Sequence, residues 1–149
     1  MTMRSVAAAA LAWTALLYGS QARGELPAIS LNAGIHVIRA EVANTFETRT
    51  RGLMYRQSLG SNQGMLFVFP IIERHCMWMK NTPLALSVAF IDESGAVVSI
   101  SEMLPRTENS HCAARPARFA LEMSRGWFAQ KGIRAGASIH GLDKAPPPQ

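Results

Sequence analysis

The residues of this chain best equipped for chemistry are two His-Cys pairs, His75-Cys76 and His111-Cys112, with Met77 and Met79 beside the first. Thiolate, imidazole and thioether groups together make a soft donor set of the kind that holds Cu(I). A metal reading would therefore use His75, Cys76, His111 and Cys112. Strand geometry works against it, because Met77 and Met79 would share one face while Cys76 points to the other. The competing reading is a Cys76–Cys112 disulfide, which an even cysteine count in an exported chain favours. Closing that loop stabilises by about 3 to 4 kcal/mol in the chain-entropy model and removes any cysteine nucleophile.

A second group follows directly. Trp78, Lys80 and Asn81 come at the end of an apolar stretch and just before Pro83. Trp78 offers a stacking surface and Lys80 a cationic anchor, which together suit an anionic or sugar-like ligand. Asn81 can equally cap a turn, with Lys80 a solvated edge charge. No GxSxG elbow, HExxH helix, phosphate loop or paired-carboxylate pattern is present, so no catalytic residue is assigned and no cofactor is implied.

The elements that must position these groups begin after an export signal. Arg4 precedes the uncharged run Ser5 to Tyr18, which is too short for a bilayer span of about 20 residues. Small side chains at Ser20 and Ala22 place a signal-peptidase cut after Ala22, giving a periplasmic or secreted protein with no membrane span after cleavage. The chain has 149 residues and a formal charge of +5, but its Lys and Arg are scattered and form no block interleaved with aromatics. That pattern predicts a solvated surface and no nucleic-acid partner. Residues 23–34 read as a leader, 35–142 as one domain, and 143–149 as a disordered tail.

Within the domain, His36 to Val42 alternates as a strand, and Asn44 with Glu47 three residues on marks a helix start. Phe46, Thr50, Leu53 and Met54 fall on one face of a helix ending near Tyr55. Met65 to Phe69 is a five-residue apolar run stopped by Pro70, as expected of a strand buried on both faces. Further strands are expected over Cys76–Lys80, Leu84–Asp92, Ala96–Ser101, Ala117–Met123 and Ala137–Leu142. A turn lies at Asp92–Gly95, a helical turn at Ser124–Gln130, and a long loop at Leu104–Pro116, where function often sits. The expected fold is mainly β, a barrel-like or sandwich-like sheet with two short helices.

The motifs RGLMYR (Arg51 to Arg56), GMLFVF (Gly64 to Phe69), WMKNT (Trp78 to Thr82), AFID..G (Ala89 to Gly95) and PARFALEM followed by GWFAQKGI resemble, in order and spacing, domain of unknown function 192. The resemblance spans roughly Val37 to Gly141 and implies a compact β-rich domain, often exported, with no established activity. Arg51 and Glu122 lie within its motifs, which makes them candidates for a buried ion pair or for ligand contact. One position departs from the pattern, since family members often carry Asp where this chain has Ser87.

The first expectation is thus a non-enzymatic exported domain that binds a small molecule or an envelope protein through WMKNT and the Cys112 loop. Copper handling through the His-Cys pairs and an enzyme of unknown reaction are the alternatives.

Overall fold

A computed structural model describes residues 25–149; the expected signal segment and its cut lie outside the described residues. The chain runs β1 (Ala28–Ala33), β2 (His36–Ala43), α1 (Phe46–Arg51), β3 (Gln63–Glu73), β4 (Cys76–Met77), β5 (Leu86–Ile91), β6 (Val97–Met103), β7 (His111–Cys112), β8 (Ala117–Ser124), α2 (Trp127–Gln130) and β9 (Ile139–His140). Seven strands form a curled half-barrel sheet in the order β6-β5-β8-β3-β2-β1-β9, and β4 pairs with β7 as a separate ribbon. The β2–β3 pair is parallel, which is why α1 and its following loop are needed as a crossover between them.

The apolar run in β3 is buried on both faces because the strand is central. Leu66 and Val68 enter a core cluster with Leu31, Ile38, Leu121 and Phe128. Met65, Phe67 and Phe69 enter another with Val88, Phe90, Ala120 and Met79. Period-two alternation assigns neighbours to opposite clusters, so neither face of β3 is left wet from Gly64 to Phe69.

Several boundaries move from their expected places. Residues 28–33 of the expected leader are β1, paired antiparallel with β2 from Ala28↔Glu41 to Ala33↔His36. The Leu31 side chain is fully buried there, so this segment belongs to the core. The expected disordered tail packs back instead. Leu142–Lys144 is a 3-10 turn, Asn44 Nδ2 donates to Pro147 O at 2.8 Å, and Gln149 N donates to Asn44 O at 2.7 Å.

Pro70 does not end β3. The strand continues to Glu73 across a register shift between Val68 and Glu73, where an interrupted ladder tolerates a residue without an N–H. The expected strand Cys76–Lys80 pairs only at Cys76–Met77, and the last strand only at Ile139–His140.

The cap of α1 is Thr45, not Asn44: Thr48 N donates to Thr45 Oγ1 at 3.1 Å and Thr45 N to Thr48 Oγ1 at 3.0 Å. Asn44 is engaged elsewhere, holding the C-terminal segment. Phe46, expected on the inward face, is 78% exposed. The turn over Asp92–Gly95 forms as expected. Asp92 Oδ1 accepts from Ser94 N, Ser94 Oγ and Ala96 N, which together, the Ser94 hydroxyl first, hold its carboxyl below the usual range. Gly95 sits at φ 87°, a left-handed conformation that favours glycine.

Candidate functional site

Three loops meet over one end of the sheet: the turn after α1, the WMKNT segment, and the stretch between β6 and β7. Met79 is fully buried and anchors WMKNT in the core, so Trp78 and Lys80 are turned outward. Backbone hydrogen bonds join the loops. Tyr55 N donates to Asn81 O at 2.8 Å, Arg106 N to Thr82 O at 3.0 Å, and Met79 N to Thr107 O at 3.0 Å.

These junctions carry backbone strain. Tyr55, Asn81 and Arg106 are the non-glycine residues with positive φ among the described residues, at 63°, 54° and 58°. All three line one pocket of about 360 Å³, together with Lys80 and Glu108. Such conformations cost of order 1 kcal/mol or more each and cluster at binding sites. Within this pocket Lys80 Nζ lies 3.6 Å from Glu108 and 5.2 Å from the centre of the Trp78 ring.

Beside it, a cavity of about 30 Å³ opens onto Glu122 on β8. Arg51 and Leu53 from RGLMYR, Phe67 from GMLFVF, and Trp78 and Thr82 from WMKNT form its walls. Gly52, at φ 47°, lets the chain turn there, and a Cβ on it would lie 3.0 Å from the Phe67 ring. Glu122 is 3% exposed, and burial pushes its carboxyl from 4.5 up to about 8, so it holds its proton at neutral pH. Its ladder neighbours are Met65 on β3 and Val88 on β5, both apolar.

The expected Arg51–Glu122 ion pair does not form. Arg51 is exposed at the mouth of the cavity, and Glu122 takes no hydrogen bond or ion pair from the described residues. A turn rather than a helix follows Arg51, which carries the guanidinium outward while the carboxyl stays in the core. Arg49 also borders the cavity, but its guanidinium is occupied by the carbonyls of Asn44, Val68 and Gln149.

The cavity continues into an apolar groove of about 300 Å³ that shares Phe67, Met77 and Trp78 and adds Phe46 and Phe69. Phe46 and Trp78, 78% and 46% exposed, flank it. The structure therefore brings Arg51, Trp78 and Glu122 around one cavity and sets Lys80 and Asn81 in the neighbouring pocket. Tyr55, Arg106, Glu108 and the groove residues Phe46 and Phe69 were not foreseen as site residues. Arg106 and Glu108 lie in the long loop already marked as functional ground, whereas nothing in the sequence signals a left-handed Tyr55.

The two cysteines form a disulfide, Cys76–Cys112, across directly paired positions of β4 and β7. This removes both thiolates from the copper reading. His75 stacks on Phe69 with ring centres 3.7 Å apart and places Nε2 2.8 Å from Ile71 O, while His111 Nε2 lies 3.2 Å from Asn109 Nδ2. Among the described residues no group of three or more His, Cys, Asp or Glu converges to hold a metal.

Ser87 is fully buried away from the cavity. It donates to Glu102 at 2.8 Å on the adjacent strand and accepts from Gly126 N at 2.8 Å. Glu102 thus brings a carboxylate to the place where the family pattern has Asp, and the pair closes on the backbone at the start of α2.

Comparison with known proteins agrees with this architecture. A protein of unknown function from Novosphingobium aromaticivorans is 30% identical, covers 80% of this chain and 89% of its own, and superposes with a TM-score of 0.76. A proposed transcription regulator from Sinorhizobium meliloti, also 30% identical, covers 75% of this chain and 90% of its own, with a TM-score of 0.70. No curated protein sequence matches the chain. The model of the uncharacterized ACR family, domain of unknown function 192, matches residues 28–141, and the chain belongs to that family.

Proposed function

We propose that this is an exported ligand-binding domain whose site is the cleft formed by the turn after α1, WMKNT and the loop before β7. The observation that carries the reading is a buried acid, Glu122, whose side chain lines a cavity walled by three of the sequence motifs. A carboxyl in apolar surroundings that opens onto a small cavity offers a ligand a hydrogen-bonding group in a setting of low polarity, where such a bond is strengthened. The strained Tyr55, Asn81 and Arg106 around the adjoining pocket add a second sign of a site held in shape for binding. Trp78 and Lys80, exposed and close together, are the surface groups a ligand would meet first. No described helix is long and apolar enough to cross a membrane.

Native mass spectrometry of the protein taken from the envelope fraction of its producing cells tests both halves of the proposal. The expected polypeptide begins at Arg23 and carries a non-covalent adduct. Exchanging Trp78 and Lys80 for Ala is expected to remove the adduct while changing stability by no more than about 1 kcal/mol, because both side chains are half-exposed. Bare protein, or an adduct retained in full by the double variant, would overturn the assignment of this cleft. Full-length chain in the cytoplasmic fraction would overturn export.

A further inference from the structure

We propose that the Glu122 cavity and the groove leading from it bind a small carboxylate with an apolar body, its head group between Glu122 and Arg51 and its body between Phe46 and Trp78. This rests on the ligand-binding reading and names the chemistry of the ligand.

The size of the cavity sets the head group. About 30 Å³ is room for two water-sized oxygens and no more, which matches a carboxylate and is small for a phosphate or a sugar ring. The groove then continues for about 300 Å³ with Phe46, Phe69, Met77 and Trp78 along it, a lining suited to a short alkyl chain or an aromatic ring.

The charge around the cavity selects the sign. From α1 and its turn, Arg49 and Arg51 face it; β3 and β5 contribute only apolar neighbours, Met65, Phe67 and Val88. From WMKNT, Trp78 and Thr82 are present, and the nearest charge, Lys80, lies in the neighbouring pocket beside Glu108. Both terminal nitrogens of Arg49 already donate to carbonyls, so Arg51, exposed at the mouth, is the cation more available to a ligand. Glu122 is the acid in this setting and, being protonated at neutral pH, is a donor. An ammonium ligand would face two guanidinium groups and would first have to strip the proton from Glu122. A carboxylate meets a cation and a hydrogen-bond donor, and O–H···O⁻ bonds of this kind are short and strong.

The test uses the purified, disulfide-intact protein titrated with benzoate and hexanoate, and in parallel with benzylamine and hexylamine. The Trp78 indole and Arg51 guanidinium NMR signals report binding. The carboxylates are expected to bind at pH 6.5 and to weaken about tenfold per pH unit above about 8, as the protonated fraction of Glu122 falls. Glu122→Gln keeps a neutral donor and is expected to retain binding within about threefold, with the loss above pH 8 abolished. Glu122→Leu is expected to bind at least tenfold more weakly; should that variant fail to fold, the pH profile of the Gln variant decides alone.

Amines that bind more tightly than the carboxylates, carboxylate binding that strengthens from pH 7 to 9, or a Gln variant that no longer binds would each overturn the proposal. No shift with either series would also overturn it. An adduct that is lost in the Trp78 and Lys80 variants would in that case keep the broader ligand-binding reading standing.

Discussion

Between pH 5 and pH 9 the protein is expected to lose about 4 kcal/mol of stability through Glu122 alone, and Glu122→Gln is expected to abolish that loss. The carboxyl has its folded value raised to about 8 from the ordinary 4.5 by burial, so the folded state keeps a proton that the unfolded chain has already released. More protons bound to the folded state means that stability falls as pH rises. The contribution is fully present below about 4.5, declines through the interval, and is gone above about 8. The flanking strands offer the charge only Met65 and Val88 once it forms, Arg51 sits out at the mouth, and Arg49 is already bonded to carbonyls.

Urea denaturation of both proteins at pH 5 and pH 9 measures this directly, since the difference between them cancels the other titrating groups. Parallel pH dependences of the parent and the Gln variant would show that Glu122 is ionised in the fold throughout, and would remove the donor on which the carboxylate site depends.

Replacing both cysteines by Ser is expected to lower stability by about 3 to 4 kcal/mol. The bond closes a loop of sequence separation 36, and the chain entropy that this closure removes from the unfolded state is of this size. Little else holds the ribbon, because β4 and β7 pair at only Cys76↔Cys112 and Met77↔His111. The loop so tethered delivers Arg106 and Glu108 to the pocket, so the loss is expected to reach the site as well as the global fold. Denaturation midpoints should fall to the same value in the reduced parent and in the double Ser variant, with reductant having no effect on the latter. A loss below about 1 kcal/mol would overturn the chain-entropy account of this bond.

Strand β3 shows why much of the fold was legible. A run of apolar residues with no polar interruption has no solvent face, which places it in the middle of a sheet covered on both sides. The turn at Asp92–Gly95 was equally local, written in an Asp that bonds its own backbone and a Gly that accepts positive φ. The failures lie where distant contacts overrule local pattern. Residues 28–33 look like a leader until β2 gives them a partner, and the Pro-rich tail looks unpacked until Asn44 and Arg49 hydrogen-bond to it. Phe46 fits an inward helical stripe, but α1 ends at Arg51, too short to carry that face into the core.

The site divides along the same line. The residue types were visible: an indole and an amine in WMKNT, an acid among apolar neighbours in PARFALEM, an arginine in RGLMYR. The sequence by itself determined the mainly β class and the motifs that matter and favoured pairing of the two cysteines, because alternation, turn chemistry and cysteine count are local or compositional signals. Only the tertiary structure decided that Glu122 stands alone under Trp78 and Arg51 instead of pairing with the arginine, and that Tyr55, Asn81 and Arg106 share one pocket. Burial, backbone strain and charge separation depend on which strands and loops pack around a group, and those partners lie tens of residues away along the chain.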